Sequence, residues 1–184
     1  MPLSPAAITF LGRANSRWLF GLFSLWKLPS AWFAGVHVRS LTPARCVTAV
    51  PYGWRSQNPF SSIYFAAQAM AAELSTGALV MLAIEDAGVP FSMLIVDLHA
   101  TFGKKAVALA EFTCEGGDAV FSAVAEARRT GEPQVITLET VGRMSDGTEV
   151  SRFRFTWSMK ARNRAAALPA PNTPANLETP AQTG

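Results

Sequence analysis

Apolar residues recur near helical spacing over residues 6–28, where Ile8, Leu11, Trp18, Leu22 and Leu25 are interleaved with Arg13, Arg17, Ser24 and Lys27. The pattern predicts one amphipathic helix packed across the outside of a domain and ended by Pro29. A basic, Trp-bearing helix of this kind also suits a membrane surface or the cover of a substrate entrance. Residues 36–41 and 45–52 read as short strands separated by the turn signal Thr42-Pro43. A polar, aromatic loop over 53–59 follows. Ser61 or Ser62 then offers an N-cap to a helix that starts at Ile63 and runs to Thr76 or as far as Glu85.

That helix is nearly apolar all round. Five of the twelve residues from 63 to 74 are alanine, and Tyr64, Gln68 and Glu73 carry its only polar side chains. A helix without a polar face is a buried helix, and alanines let its neighbours approach closely. Beyond it, residues 91–102 form a strand candidate, Gly103-Lys104-Lys105 a turn, and 106–114 a second, alternating strand. A helix over 118–130 ends in Arg128-Arg129 with Gly131 beyond. Strands over 134–143 and 148–160 are joined by Ser145-Asp146-Gly147. In the second of these, Phe153, Phe155, Trp157 and Met159 face one way and Arg152, Arg154, Thr156, Ser158 and Lys160 the other. The order predicts an α+β fold with one antiparallel sheet curled round a central helix.

Composition narrows the function. With 49% apolar residues among 184, the chain has enough apolar material for one core, which excludes disorder throughout. A formal net charge of +3 is too small to point to nucleic acid. Cys46 and Cys114 stand in no metal-ligand spacing and read as reduced, core-side thiols. No run of 18 uncharged apolar residues and no secretory cleavage pattern is present, so a cytoplasmic location is expected. The chain divides into an N-terminal amphipathic helix (1–34), a domain (35–162) and a disordered tail (163–184). The last twenty residues hold four prolines among Ala, Asn and Thr.

Glu73 is the most informative position. A carboxylate inside an Ala-rich buried helix costs several kcal/mol if charged and unpaired. It is therefore neutral, paired, or placed at a cavity or subunit boundary, and perturbed carboxylates concentrate at functional sites. The plain alternatives are that it faces solvent or pairs with an arginine such as Arg55. Asn58 lies fifteen residues earlier, in the loop that opens the helix. Before a proline it is most often a turn residue.

With these residues in place the chain resembles the hotdog-fold thioesterases of the phenylacetyl-CoA type. It is more similar still to the hotdog family known as domain of unknown function 4442. Val50-Pro51-Tyr52, Asn58-Pro59-Phe60, Ala71-Ala72-Glu73-Leu74 and Phe102-Gly103-Lys104-Lys105-Ala106 carry the resemblance, which covers residues 35–162. It implies a hotdog fold, a homodimer or dimer of dimers joined through its sheets, and acyl-thioester sites at the interface. It further implies that Glu73 from the facing subunit is base or nucleophile, and that Asn58 orients substrate or water. The N–H of Phe65 would then be the oxyanion donor at the helix N-terminus. Ser92 is a loose further candidate.

The chain departs from the active relatives at Tyr64-Phe65-Ala66, which stands where they have His-Gly-Gly. Glycine lets a thioester approach the backbone closely; Phe65 either points into the core or fills the pocket. Arg55, Lys104 and Lys105 are candidate contacts for coenzyme A phosphates, with solvated surface as the plain alternative. No cofactor is expected beyond coenzyme A as part of the substrate. No metal is expected either, since His37 and His99 lack partners at ligand spacing. Two functions follow: an acyl-CoA hydrolase, or a non-catalytic hotdog that binds acyl chains, acyl-CoA or a partner protein.

Overall fold

Three helices open the chain where the pattern predicts one. They are α1 (Pro5–Asn15), α2 (Arg17–Lys27) and α3 (Pro29–Ala34) in a computed structural model that describes residues 2–162. The tail assigned to 163–184 lies outside the described residues. The break falls at Ser16, whose extended backbone closes α1 and whose hydroxyl accepts from the Leu19 N–H to cap α2. Pro29 does not end the helical region. It takes the first position of α3, where its missing N–H costs nothing. Gly35 follows with φ 81°, and a Cβ there would sit 2.9 Å from Pro51 Cγ, so both backbone and space demand glycine.

The strands are β1 (His37–Leu41) and β2 (Cys46–Val50), then, after helix α4 (Phe65–Ala87), β3 (Phe91–Phe102) and β4 (Ala110–Cys114). Helix α5 (Gly117–Thr130) precedes β5 (Gln134–Met144) and β6 (Glu149–Ala161). All pairings are antiparallel, and the six strands lie in the order β1-β2-β4-β5-β6-β3. The sheet curls round α4 as a hotdog fold. Phe112, Phe153, Phe155, Trp157 and Met159 on its concave face are buried against Ala71, Leu79 and Leu82 of the helix. Cys46 lies opposite Cys114, and both are free and buried.

Three sequence expectations shift here. Residues 106–109 are not strand, and β4 begins at Ala110. The central helix passes Glu85 and stops at Ala87, where Gly88 takes the left-handed C-cap. Neither Ser61 nor Ser62 caps it. Ser61 has φ 57°, the Ser62 hydroxyl donates to Asn58 Oδ1, and Tyr64 holds the N-cap position with no side-chain cap.

Buried polar groups lock α4 into the sheet. Thr48 Oγ1 donates to Ala71 O (2.6 Å), Ser75 Oγ to Thr140 Oγ1 (2.8 Å), and Trp157 Nε1 to Thr76 Oγ1 (3.1 Å). Each such bond contributes about 1 kcal/mol, and losing one partner costs more because the other is left dry. At its far end α4 is tied to the N-terminal helices. The Ser4 N–H donates to Asp86 Oδ1 (2.7 Å), while Asn15 clamps both backbone groups of Leu41 at 2.7 and 2.9 Å. By length and composition α4 could span a membrane, but it is the buried core helix of this domain.

Candidate active site

The site forms at the N-terminal end of α4, because the backbone there is left unfinished. The Ile63 N–H donates to Ala106 O (2.8 Å) and the Tyr64 N–H to Ser56 O (2.7 Å), which anchors the chain just before the helix. The N–H groups of Phe65 and Ala66 have no acceptor among the described residues. Two orphan donors at the positive end of a 23-residue helix can hold an anion or a polarised carbonyl oxygen.

Beside this end lies a cleft of about 510 Å³ between α3, the 55–57 segment and the first turns of α4. Phe33, Arg55, Tyr64, Ala66, Ala67 and Met70 are among its lining residues, and its volume suits a ligand of moderate size. Phe65 is not among them. Its ring packs edge-on against Tyr64 and Phe102, with centroids 4.9 and 6.5 Å away. The bulky residue in the glycine position is therefore directed toward β3, away from the cleft. Arg55 also lines a second, adjoining cleft of about 280 Å³, which places its guanidinium between the two.

Glu73 lies on the same helical face as Ala66 and Met70, less than one turn beyond Met70 at the cleft's edge. Within the single chain it is exposed, not buried as the apolar surroundings predict. Its carboxylate makes no hydrogen bond or ion pair among the described residues, so the pairing with Arg55 is not formed. The adjacent turns place Ala69, Met70, Thr76 and Gly77 around it; of these only Thr76 carries a donor, and its hydroxyl goes to the Glu73 backbone carbonyl (2.9 Å). Partial loss of water raises the Glu73 carboxyl above its ordinary range.

Asn58 is occupied as the turn residue that its place before Pro59 suggests, rather than left free for the role the family resemblance implies. Its Oδ1 accepts from the Phe60 N–H (3.0 Å), the Ser62 N–H (3.2 Å) and the Ser62 hydroxyl (3.2 Å). It staples the loop that presents α4, and only its Nδ2 is left for a ligand. Lys105 Nζ donates to Phe60 O (3.1 Å), bracing the same loop, while Lys104 is exposed. Ser92 is not brought to this region within one chain. It pairs with Lys160 at the start of β3, near the opposite end of α4. Residues 73 and 87 alone are about 21 Å apart along the helix axis.

Gln68 is the residue whose role the sequence does not reveal. It is buried, donates from Nε2 to Ile63 O (3.0 Å), and accepts from the Ser151 hydroxyl (2.8 Å). It thereby fixes the first turn of α4 to β6. Its polarity inside an alanine run was the available signal.

An antiparallel sheet curled round one long helix, with an uncapped helix N-terminus above a cleft, defines a hotdog-fold protein. The chain belongs to the family described as domain of unknown function (DUF4442), whose model matches residues 16–159. No curated protein matches it. Among solved structures it is similar to a candidate thioesterase of Shewanella oneidensis at 15% identity and a TM-score of 0.67, covering 84% of this chain and 99% of that one. A Pseudomonas aeruginosa protein of unknown function, also described as a candidate thioesterase, gives 19% identity and a TM-score of 0.67 over 88% of this chain and 99% of its own. A Haemophilus influenzae thioesterase gives 12% identity and a TM-score of 0.59 over 79% and 91%. At these identities the likeness establishes the fold.

Proposed function

We propose that the protein hydrolyses acyl thioesters, with acyl-CoA as the substrate class and no cofactor beyond the coenzyme A that the substrate itself carries. The observation that carries this reading is the pair of unpartnered N–H groups at Phe65 and Ala66 above a cleft, on the helix that also bears the unpaired Glu73. The two N–H groups donate to the thioester oxygen as negative charge develops on it. Glu73 removes a proton from water as the water oxygen bonds to the carbonyl carbon. The C=O π pair moves onto oxygen, then re-forms the double bond as the C–S bond breaks, and the thiolate leaves with the proton Glu73 has taken. The products are a carboxylic acid and a free thiol.

Glu73 lies eight residues beyond Phe65, about 12 Å along the helix, so the two act on one substrate only across a pair of subunits. We place the second copy along β3. This strand is an edge of the sheet and twelve residues long, with Leu94, Val96 and Leu98 exposed along it. Thiol release from a panel of acyl-CoAs, with Glu73→Gln beside the wild type, tests the reading. The expected result is release by the wild type and loss of at least a hundredfold in the variant, the usual scale of a general base. Equal rates would end the assignment of Glu73.

A second reading is a non-catalytic acyl-CoA or fatty-acyl binding protein. The observation that favours it is Asn58, whose Oδ1 is fully engaged in the loop. It predicts micromolar binding by calorimetry with no turnover by the wild type on any of the panel.

A further inference from the structure

The geometry points to an anionic membrane surface as the partner of the N-terminal helices, with α2 lying in the lipid interface. The inference rests on which way α2 faces and stands apart from the acyl-thioester reading.

Helix α2 turns Phe20 and Ser24 inward and its other large apolar residues outward. Ser24 is 2% exposed, and Phe20 is the only other residue of the helix that is buried. Trp18 and Trp26 are each 79% exposed, and Leu19, Leu22, Phe23 and Leu25 are also open to solvent. A helix that served only the core would show the reverse arrangement. Tryptophans at both ends of an apolar helical stripe are the pattern of a helix at the headgroup level of a bilayer. The exposed apolar surface continues beyond α2. Trp32 and Phe33 of α3 are open, and Phe33 meets the exposed Trp54 edge-on with centroids 6.0 Å apart.

Charge selects the partner. The first acidic residue in the chain is Glu73, and the preceding 72 residues carry six Lys and Arg. Arg17 and Lys27 bracket α2, with Arg13 one turn earlier, and none of the three forms an ion pair among the described residues. An acid-free, Trp-rich surface flanked by free cations complements lipid phosphates and anionic headgroups. The cleft beside α4 shares Phe33 with this surface, so a docked protein would hold the cleft's mouth near the bilayer.

The full chain is tested by flotation with vesicles of phosphatidylcholine alone and of phosphatidylcholine with phosphatidylglycerol, at low and high salt. The expected result is co-flotation with the anionic vesicles that weakens with salt. Arg17→Glu with Lys27→Glu lowers it by roughly tenfold or more. Trp18→Ser with Trp26→Ser abolishes it while the far-ultraviolet spectrum stays native, since both side chains are exposed. Brominated lipid quenches the tryptophan fluorescence of the wild type and much less that of the double Trp variant. Failure to float with anionic vesicles overturns the inference. So does a fall in oligomer size by sedimentation in the double Trp variant without lipid, because the surface is then a contact between copies.

Discussion

Glu73 is where the chemistry and the stability of this chain oppose each other. Its carboxyl is raised above the ordinary value of 4.5 by lost hydration, and no cation offsets that loss. The folded state therefore binds this proton more tightly than the unfolded chain does. Between the ordinary and the raised pKa, the folded state holds more protons, so this residue's contribution to stability falls as pH rises through that window and stays lower above it. Glu73→Gln removes the charge and keeps the shape. Urea unfolding at pH 8 is expected to show the variant as stable as the wild type or more so, and the difference to vanish near pH 3.5, where both side chains are neutral. A less stable variant at pH 8 would mean that the carboxylate has a favourable partner. Asn58 is the contrasting case. The family resemblance implied a group that orients substrate and its place before Pro59 a turn residue, and its Oδ1 serves three donors of its own loop. An Asn before a proline satisfies loop and ligand equally well on paper, and only the hydrogen bonds distinguish them.

Periodicity located nearly every helix and strand of the domain, because alternation and helical spacing report one buried face directly. It read the N-terminal region as one helix, packed on the domain or laid on a membrane surface, where the structure has three. Trp18, Leu22 and Leu25 do share one face, but that face points outward, and periodicity contains no information on which side the body of the protein lies. The start of α5 shows a constraint of another kind. Gly117 donates its N–H to Ala44 O (3.0 Å), and a Cβ there would lie 2.0 Å from Pro43 O and 2.6 Å from Ala44 O. Both obstacles are backbone, so the helix and the 43–44 turn must separate to admit a methyl group. Gly117→Ala is expected to cost roughly 3 kcal/mol and to lower Tm by roughly 6–12 °C in a thermal scan. An unchanged Tm would show that the turn yields easily.

At the scale of the molecule, the proposed assembly places a second copy along the edge strand β3. Leu98 and Phe102 point to the concave side of the sheet, as their register with Phe155 and Ser151 requires, and still remain about half exposed. Inward apolar residues left open at a sheet edge mark a core completed by another chain. In an antiparallel pairing of two β3 strands, like charges opposite one another repel. Leu94→Lys with Leu98→Lys is expected to convert a dimer into a folded monomer in sedimentation velocity. It would also remove thioester hydrolysis if the site spans two subunits. A wild type that sediments as a monomer would refute that assembly.

The hotdog architecture was legible from one dimension. The Ala-rich stretch, the alternating aromatics of β6 and the turn at Ser145-Asp146-Gly147 each encode a local preference, and together they permit few other packings. The acid on the central helix was legible for a related reason, since a lone carboxylate in such a run stands out by cost. Three other facts depended on contacts between residues far apart in the chain. Phe65 turns toward Phe102 and leaves its N–H free, Gln68 is spent on Ser151, and α2 presents its tryptophans to solvent. Each is settled by what lies across a gap in space. Spacing along a chain reports which residues share a face, while the neighbours that meet that face are fixed only when the sheet closes round its helix.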